Sequence, residues 1–357
     1  MGPLHRGRRV MRLAVVGNPD NRRVTLFAAA AVRAGLPTPR VHSWHSVLTG
    51  SPVLDGLVRI ESPGEDAEVD RLLRGAAAPC APGEIVGTAA AYRGLRSALG
   101  RIGGRLLNPA DDILTMNDKR LCHAMLRDAG IPVPPALPAV HGWASLREAM
   151  SAAGWSRVFV KPAHGSSASG VIALAVAGPR VLAVTSVEVG PYGRLYNSLR
   201  VRRYDDEATV AAIVDRLAPD GLHVERWFPK AGLADRVLDL RVVVIAGSPS
   251  HVVVRTSRTP LTNLHLGNAR GDVAAVRAAA GAASWEAAMR TCAEVARCFP
   301  RSLHVGVDLM FRSGWRQHAV AEVNAFGDLL PGLDTYDVEI ASLLDGRYDR
   351  WAGACVS

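Results

Sequence analysis

The sequence predicts an α/β fold, and two observations support this prediction. Residues 10–44 contain an apolar run, an amphipathic segment and a second apolar run, at the spacing of a strand, a helix and a parallel strand. Further along, short runs rich in β-branched residues alternate with longer helical patterns. The 357 residues are 48% hydrophobic and 21% charged, a globular composition long enough for two or three domains.

The N-terminal part predicts a parallel α/β domain. Its first elements are a strand at residues 10–17, a helix at 23–34 and a strand at 41–44. The first strand is followed by Gly17-Asn18-Pro19-Asp20, so the GxGxxG fingerprint of dinucleotide-binding domains is absent there. Residues 50–115 are rich in Gly, Pro and Ala, and we expect helices near 65–74 and 88–101.

The part after residue 116 predicts several antiparallel strands. A helix capped by Asn117 or Asp118 runs to Asp128 and stops at Gly130. The later predicted elements are strands at 158–162 and 171–176, a hairpin at 181–189 and 194–204, a helix at 207–217, a strand at 223–228, an antiparallel pair at 238–245 and 251–255 that turns at 247–249, a helix at 284–298, and a hairpin at 303–311 and 318–324.

The charge of the chain does not favour nucleic acid as its main partner. The formal net charge is +9, but the arginines are scattered, and no zinc-finger, RNP or basic-zipper pattern accompanies them. The basic residues are 39 arginines and three lysines, a skew that we attribute to composition bias in the coding gene. A general basic field still steers anionic ligands toward the protein.

Cysteine usage and hydropathy favour a cytoplasmic protein without a membrane segment. The five cysteines form neither CxxC pairs nor a Cys/His cluster, which points to a reducing compartment and no structural zinc. No run of 18 apolar residues occurs. The basic and apolar N-terminal stretch has too short an apolar part for a signal peptide.

The three lysines are candidates for positions where arginine does not serve. Lysine carries a compact charge on a flexible stem, whereas arginine presents a wide planar fork. Lys119 begins a helix, and Lys161 ends a strand directly before the glycine- and serine-rich loop 165–170. Such a loop lets backbone N–H groups approach an anion. For Lys230 we favour an exposed surface position over a contact with a nucleotide.

A second set of polar residues lies in strongly apolar strands. Asp308 interrupts Val305-Gly306-Val307 and Leu309-Met310, and Glu322 and Asn324 are two residues apart, so they share one face of a strand. Burying unpaired carboxylates in such surroundings costs several kcal/mol. The three oxygen-bearing side chains therefore suit Mg²⁺ with bound phosphates, although a solvated edge strand explains an isolated Glu-x-Asn equally well.

The order of these motifs resembles the ATP-grasp superfamily, and within it the RimK-like and glutathione-synthetase-like carboxylate–amine ligases. The resemblance covers residues 115–335. The matching motifs are Asn117-Asp118-Lys119, Val160-Lys161-Pro162 with the loop 165–170, Glu225-Arg226-Trp227-Phe228, Asp239-Leu240-Arg241, Asn263-Leu264-His265-Leu266-Gly267, Gly306-Val307-Asp308-Leu309 and Glu322-Val323-Asn324.

The resemblance implies a fold and a domain organisation. It implies an α+β grasp arrangement, in which an N-terminal parallel α/β domain precedes a two-lobed ATP-grasp domain. We expect the N-terminal domain at residues 1–115, the small lobe with its phosphate loop at 116–225, and the large lobe with its metal site at 226–357.

The resemblance also implies how ATP is held. Lys119 and Lys161 correspond to the pair that contacts the α- and β-phosphates, and Asp239 to the partner of the ribose hydroxyls. The loop that closes over the β- and γ-phosphates comprises Ser166, Ser167, Ala168, Ser169 and Gly170. The hinge that meets the adenine comprises Glu225, Arg226, Trp227 and Phe228.

A metal site and a catalytic set follow from the same resemblance. Asp308, Glu322 and Asn324 correspond to ligands of Mg²⁺, with Mn²⁺ as an alternative. Arg241, Arg255 and Asn263 lie where relatives hold the γ-phosphate or an acyl phosphate, and Arg258 is a weaker candidate.

The implied reaction joins a carboxylate to an amine at the expense of ATP. The substrates are a small-molecule carboxylate and amine, or a peptide, and a homo-oligomer is one option for the assembly. An ATP-grasp kinase, a nucleotide-binding protein without turnover, and a polymer-modifying binder remain alternatives. Two features depart from the family pattern. The final motif continues Ala325-Phe326-Gly327-Asp328, and we favour a solvated basic face for the arginine-rich hairpin 181–204.

Overall fold

Three sheets organise the protein. The computed structural model describes residues 11–50, 54–165, 168–326 and 332–354. Within these ranges the strands form a four-stranded parallel sheet, a five-stranded antiparallel sheet and a six-stranded antiparallel sheet. No helix in the described ranges is long and apolar enough to cross a membrane.

The parallel sheet forms the core of the N-terminal part, as predicted. Its strands have the order β2-β1-β3-β4. The elements are Leu13–Val16 (β1), Arg22–Arg33 (α1), Arg40–His42 (β2), Trp44–Thr49 (α2), Leu57–Ile60 (β3), Ala67–Arg74 (α3), Thr88–Leu99 (α4) and Arg105–Leu106 (β4).

One boundary in this part differs from the prediction. The strand expected at 41–44 ends at His42, and Trp44 begins α2. The reason is a helix cap, because the Ser43 hydroxyl accepts a hydrogen bond from the backbone N–H of Ser46 at 3.1 Å. Trp44 is fully buried in the core beneath the sheet.

The five-stranded sheet has the order β8-β7-β6-β5-β9, and it includes the predicted hairpin. The elements of this region are Ala110–Asn117 (α5), Lys119–Asp128 (α6), Trp143–Ala152 (α7), Arg157–Pro162 (β5), Ile172–Ala177 (β6), Arg180–Val189 (β7), Leu195–Tyr204 (β8), Glu207–Leu217 (α8) and Leu222–Arg226 (β9). One face of the sheet packs on α7 and α8 through a separate apolar core.

The six-stranded sheet has the order β13-β12-β11-β14-β15, with β10 paired to β11. The remaining elements are Gly232–Leu233 (β10), Arg236–Ile245 (β11), Ser248–Ser257 (β12), Ala269–Gly271 (β13), Val273–Ala280 (α9), Ala282–Arg297 (α10), His304–Phe311 (β14), His318–Asn324 (β15), Thr335–Leu344 (α11) and Arg347–Ala354 (α12).

The turn between β11 and β12 is shorter than predicted. It comprises Ala246 and Gly247, both with positive φ, rather than residues 247–249. A two-residue turn with two positive φ angles matches the twist of a hairpin. Pro249 therefore lies inside β12, and the register shifts at the neighbouring pairs, where a missing N–H is tolerated.

The three parts pack directly against one another. Ile85 from the N-terminal part belongs to the apolar core of the five-stranded sheet. At the C-terminal end, α11 returns to α1, where Tyr336 packs edge-on against Phe27 and Arg33 pairs with Asp337 at 2.8 Å. The domain limits 1–115, 116–225 and 226–357 stay our proposal.

A buried ion cluster lies at this return. Arg59 at the end of β3 contacts Glu61 at 2.6 Å and also pairs with Glu339 of α11. All three residues are 1% exposed, and the Arg59 guanidinium lies over the rings of Phe27 and Tyr336. The cluster joins the parallel sheet to the C-terminal helices.

Candidate active site

A cleft between the two antiparallel sheets collects most of the predicted site residues. It encloses about 750 Å³, part of which is open to solvent. The predicted site residues that line it are Lys119, Lys161, Ala168, Ser169, Glu225, Phe228, Asp239, Arg255, Asn263, Asp308 and Glu322. The other lining residues are Phe159, Gly165, Val171, Lys230, Pro260, Leu261, Thr262, Met310 and Ala321.

All three lysines of the chain line this one cleft. The side chains of Lys119, Lys161 and Lys230 are only 11%, 10% and 11% exposed. The interpretation of Lys230 as an exposed surface residue is therefore wrong. The scarcity of lysine, which drew attention to the other two positions, applied equally to the third.

Lys119 is positioned by the start of α6. Asp118 caps this helix by accepting a hydrogen bond from the N–H of Arg120 at 2.9 Å. The backbone N–H of Lys119 donates to Ala163 O at 2.9 Å, which ties the helix start to the end of β5. Its ammonium donates to Gly165 O at 2.8 Å and lies 3.1 Å from Glu322 Oε1. One lysine thus connects the loop to the last strand of the large sheet.

Lys161 is positioned by the pairing of β5 with β9. In this antiparallel register Lys161 faces His223 and Phe159 faces Glu225. The Lys161 ammonium contacts Glu225 Oε1, while the other carboxylate oxygen of Glu225 lies 3.4 Å from His223 Nε2. Burial raises the pKa of Glu225, but Lys161 and His223 together outweigh it and lower that pKa to about 2. The cleft therefore holds an ionised Glu225.

A row of alternating charges runs from β12 to β14, and three of its four members line the cleft, whereas the predicted catalytic residue Arg241 does not. Arg255 Nε lies 2.7 Å from Asp239 Oδ1, and Arg255 Nη2 lies 3.0 Å from Asp308 Oδ2. Arg241 Nε lies 2.6 Å from Asp308 Oδ1. The strand register explains the row, because Asp239 faces Arg255 and Arg241 faces Asp308. The two arginines thus neutralise buried carboxylates that would otherwise lack a cation.

Asp308 and Glu322 are direct partners across β14 and β15. Burial raises the pKa of Asp308 despite its two arginines, whereas the Lys119 charge lowers the pKa of Glu322 against the effect of burial. Asn324 donates to Gly306 O at 3.3 Å and does not line the cleft. Within the ranges that the structure describes, no cluster of three His, Cys, Asp or Glu side chains could bind a metal by itself.

This donor set fits a cation that is shared with phosphates. Two adjacent carboxylates face a cleft that three lysines also line, so carboxylate and phosphate oxygens can meet there. Mg²⁺ is usually held by one or two carboxylates together with substrate phosphates. The site thus suits Mg²⁺ that arrives with a nucleotide rather than an ion caged by protein alone.

The structure describes only part of the predicted phosphate loop. Ser166 and Ser167 lie outside the described residues. Ala168 and Ser169 line the cleft, whereas Gly170 does not. Gly170 has a φ of +73°, and a methyl group there would lie 2.6 Å from Pro162 Cγ. Glycine at 170 therefore lets the loop return closely over the end of β5.

The predicted hinge is divided between the cleft and its outer side. Glu225 and Phe228 line the cleft. Arg226 is exposed and lies over the ring of Trp155, with 5.9 Å between its guanidinium carbon and the ring centroid. Trp227 packs against the Phe159 ring at 5.0 Å. Alternation along β9 places Glu225 and Arg226 on opposite faces, whereas Trp227 and Phe228 follow the end of the strand.

Two weaker candidates lie away from the cleft lining. Arg258 is exposed and pairs with Asp235 at 2.8 Å. In the arginine-rich hairpin, Arg202 contacts Glu188 at 2.5 Å, and Arg194, Arg200 and Arg203 are exposed. These positions agree with the solvated basic face that we favoured.

Comparison of the sequence finds no matching family profile and no matching curated protein. Comparison of the structure does find matches. The crystal structure of D-cycloserine synthetase DcsG has a TM-score of 0.56 at 17% identity, covering 94% of this chain and 99% of that one.

The ATP-grasp ligase PsnB and the macrocyclase MdnC of Microcystis aeruginosa also match. PsnB, complexed with a minimal precursor, Mg and ADP, has a TM-score of 0.55 at 16% identity over 94% of this chain and 97% of that one. MdnC, bound with its precursor peptide MdnA, has a TM-score of 0.53 at 11% identity over 94% and 99%. These similarities confirm the fold predicted from the sequence.

Proposed function

We propose that this chain, which has the ATP-grasp fold, is an ATP- and Mg²⁺-dependent ligase that joins a carboxylate to an amine and releases ADP and phosphate. One observation carries the proposal: all three lysines and the carboxylates Asp308 and Glu322 share a single cleft in that fold. Cationic side chains beside carboxylates suit a triphosphate with its metal ion.

The nucleotide lies along the cleft in this proposal. Lys119 and Lys161 hold the α- and β-phosphates, and the loop 165–170 covers the β- and γ-phosphates. The ionised, buried Glu225 carboxylate already contacts Lys161 and His223, and one of its oxygens in addition accepts a hydrogen bond from the adenine amino group. Phe159, Phe228 and Met310 supply apolar walls for the base.

Asp308 and Glu322 hold the metal ion, and Asn324, from its place two residues after Glu322, supports the same strand end. When bound, Mg²⁺ neutralises phosphate charge and polarises the γ-phosphate. The chain contributes the placement of the two carboxylates by the β14–β15 pairing. Glu322 also contacts Lys119 through Oε1, so Lys119 and the metal ion would share this carboxylate.

The chain acts on the reaction mainly by position and charge. In the first step a substrate carboxylate oxygen attacks the γ-phosphorus, the bond to ADP breaks, and an acyl phosphate forms. An amine then displaces phosphate. Arg241 and Arg255 are fixed by carboxylates on neighbouring strands, and they place positive charge where negative charge develops. Asn263 also lines the cleft. The closing loop keeps water from the acyl phosphate.

The substrate class is a carboxylate and an amine, either as small molecules or within a peptide. PsnB and MdnC are described in complex with precursor peptides, whereas DcsG is described as a D-cycloserine synthetase. Proteins of this fold are thus named both for peptide complexes and for a small-molecule product. We place the protein in the cytoplasm, with a homo-oligomer as one option for its assembly.

The experiment is an assay of ADP and phosphate release by purified protein with Mg·ATP and a panel of amino acids and peptides. Release is expected only when both a carboxylate and an amine are present, and K161A and E322A should abolish it. ADP without free phosphate, together with a phosphorylated hydroxyl, would identify a kinase instead. Unchanged turnover in both variants would show that the site has been assigned to the wrong residues.

A further inference from the structure

A segment of the large lobe crosses the cleft and reaches the small lobe. This segment, residues 260–268, joins β12 to β13, and we call it the strap. Pro260, Leu261, Thr262 and Asn263 line the cleft. Leu261 and Leu266 are buried in an apolar cluster with Phe159, Val171 and Ala173 of the small lobe. The strap thus forms one wall of the proposed nucleotide site.

The large-lobe end of the strap is fixed by Lys230. The Lys230 ammonium donates to Thr262 Oγ1 at 2.7 Å and to Pro260 O at 3.2 Å, and it lies 3.5 Å from Asp239 Oδ2. The Thr262 hydroxyl in turn donates to the same oxygen of Asp239. Three acceptors in three directions suit a compact ammonium better than a planar guanidinium.

The other end of the strap is fixed by an amide. Asn268 Nδ2 donates to Leu261 O at 2.6 Å and to Asn263 O at 2.9 Å. The strap is therefore held on both sides of Thr262. Its conformation depends on side-chain hydrogen bonds, because its only regular element is the short 3₁₀ turn Leu264–Leu266.

Both carboxylate oxygens of Asp239 are engaged inside the protein. Oδ1 accepts from Arg255 Nε at 2.7 Å, and Oδ2 accepts from Thr262. Asp239 is 4% exposed. The carboxylate is thus already oriented by chain groups on both oxygens, and a ribose hydroxyl would have to share an oxygen with one of them.

We propose that Lys230, Thr262 and Asp239 form a clamp that positions the strap over the nucleotide, with Asp239 holding the strap rather than the ribose. The inference rests on the proposed function for the identity of the ligand. Lys230 and Thr262 are positioning residues for Asn263 and Leu261, which the strap carries into the cleft. The role of Asp239 thus differs from the one that the family resemblance implies.

The first test measures binding of Mg·AMPPNP by calorimetry and the exchange of strap amides by mass spectrometry. T262V removes the hydroxyl, T262S restores it, and K230M removes the ammonium. T256V is the matched control, because the Thr256 hydroxyl bonds Ala269 O outside the clamp. We expect T262V and K230M to weaken binding and to speed strap exchange by roughly tenfold each, the effect of one lost buried hydrogen bond.

T262S should stay within about twofold of the parent, since it keeps the hydroxyl donor. Strap exchange in T262V and K230M equal to that in T256V would overturn the clamp. If the parent does not bind Mg·AMPPNP, the proposed function fails, and strap exchange alone then decides whether the clamp exists.

The second test separates the two roles of Asp239. The affinities of the parent and of D239N for Mg·ATP, Mg·2′-deoxy-ATP and Mg·3′-deoxy-ATP are compared without acceptor. A clamp predicts that D239N weakens all three nucleotides by the same factor, so their affinity ratios stay as in the parent. A parent that prefers ATP and loses this preference in D239N would show that Asp239 binds the ribose.

Discussion

The Lys161 ammonium and the Glu225 carboxylate form a buried ion pair across β5 and β9, and His223 lies 3.4 Å from the other oxygen of the same carboxylate. Lys161 and Glu225 are 8% and 4% exposed. A lysine held in this way is preordered for an anion, since its side-chain rotamers are fixed before the ligand arrives. The pair also makes the stability of the fold depend on pH.

Replacing Glu225 by glutamine should flatten the acid side of the stability curve. The folded pKa of Glu225 is about 2 against an ordinary value of 4.5, because Lys161 and His223 together outweigh the effect of burial. A lowered folded pKa gives stability that is complete above pH 4.5 and is lost as the pH falls toward 2, a contribution of about 3 kcal/mol. Urea unfolding between pH 7 and pH 2 measures it.

Among the described residues, few titratable groups lie near Glu225, and a distant, exposed glutamate serves as the control. Lys161, His223 and the nearby ring of His123 are the titratable groups that face it. E286Q, on the exposed side of α10, should keep the slope of the parent. Parallel curves for the parent and E225Q would contradict the prediction.

Replacing Lys119 or Lys161 by arginine should weaken nucleotide binding. We expect K119R and K161R each to weaken Mg·AMPPNP binding by roughly tenfold or more, because a planar fork does not fit where a compact ammonium contacts Gly165 O or Glu225. R277K, at an exposed position of α9, should bind as the parent does. Full binding by both arginine variants would show that lysine is not required there.

Glu322 should account for much of the increase in nucleotide affinity that Mg²⁺ gives. The measurement is AMPPNP binding with and without Mg²⁺ in the parent, E322Q and the control E286Q. E322Q should reduce the gain from Mg²⁺ at least about tenfold, comparable to the loss of a partner group at a metal site. Metal-free binding should not fall, because E322Q frees the Lys119 ammonium from its contact at 3.1 Å. An unchanged gain from Mg²⁺ would place the metal elsewhere.

Removing the Arg59 charge should destabilise the junction between the parallel sheet and the C-terminal helices. R59M leaves Glu61 and Glu339 buried without their cation, which costs about 3–5 kcal/mol. R12M breaks an exposed pair with Asp55 and should change the free energy of unfolding by less than about 1 kcal/mol. Equal unfolding midpoints of the two variants in urea would contradict this account.

Gly94 should not tolerate a side chain. A methyl group at this position of α4 would lie 1.9 Å from Leu73 O, so G94A must separate α4 from α3. We expect a loss of at least about 2 kcal/mol, as for other overpacked contacts. G353A, in α12 with nothing within 4 Å, should instead stabilise by up to about 1 kcal/mol. Thermal unfolding of both variants decides whether the space at Gly94 is required.

Many of the elements and several residues of the cleft were predictable from the sequence alone, whereas β3, β4, α7, α11 and α12 were not. Periodicity identified the hairpins β7–β8 and β14–β15, because alternation along a strand is a local property. The scarcity of lysine selected Lys119 and Lys161, and the apolar surroundings of Asp308 and Glu322 marked buried carboxylates. Both signals arise from the cost of placing a charge where the neighbouring residues exclude water.

Only the tertiary structure decided which groups satisfy these charges. The sequence predicted Lys230 at the surface, because its acceptors Thr262 and Pro260 lie some 30 residues further along the chain, beyond any local pattern. The same holds for the pairing of Arg59 with Glu339 across 280 residues. A single sequence records where a charge needs a partner, whereas the partner is chosen by the packing of strands and helices that are distant along the chain.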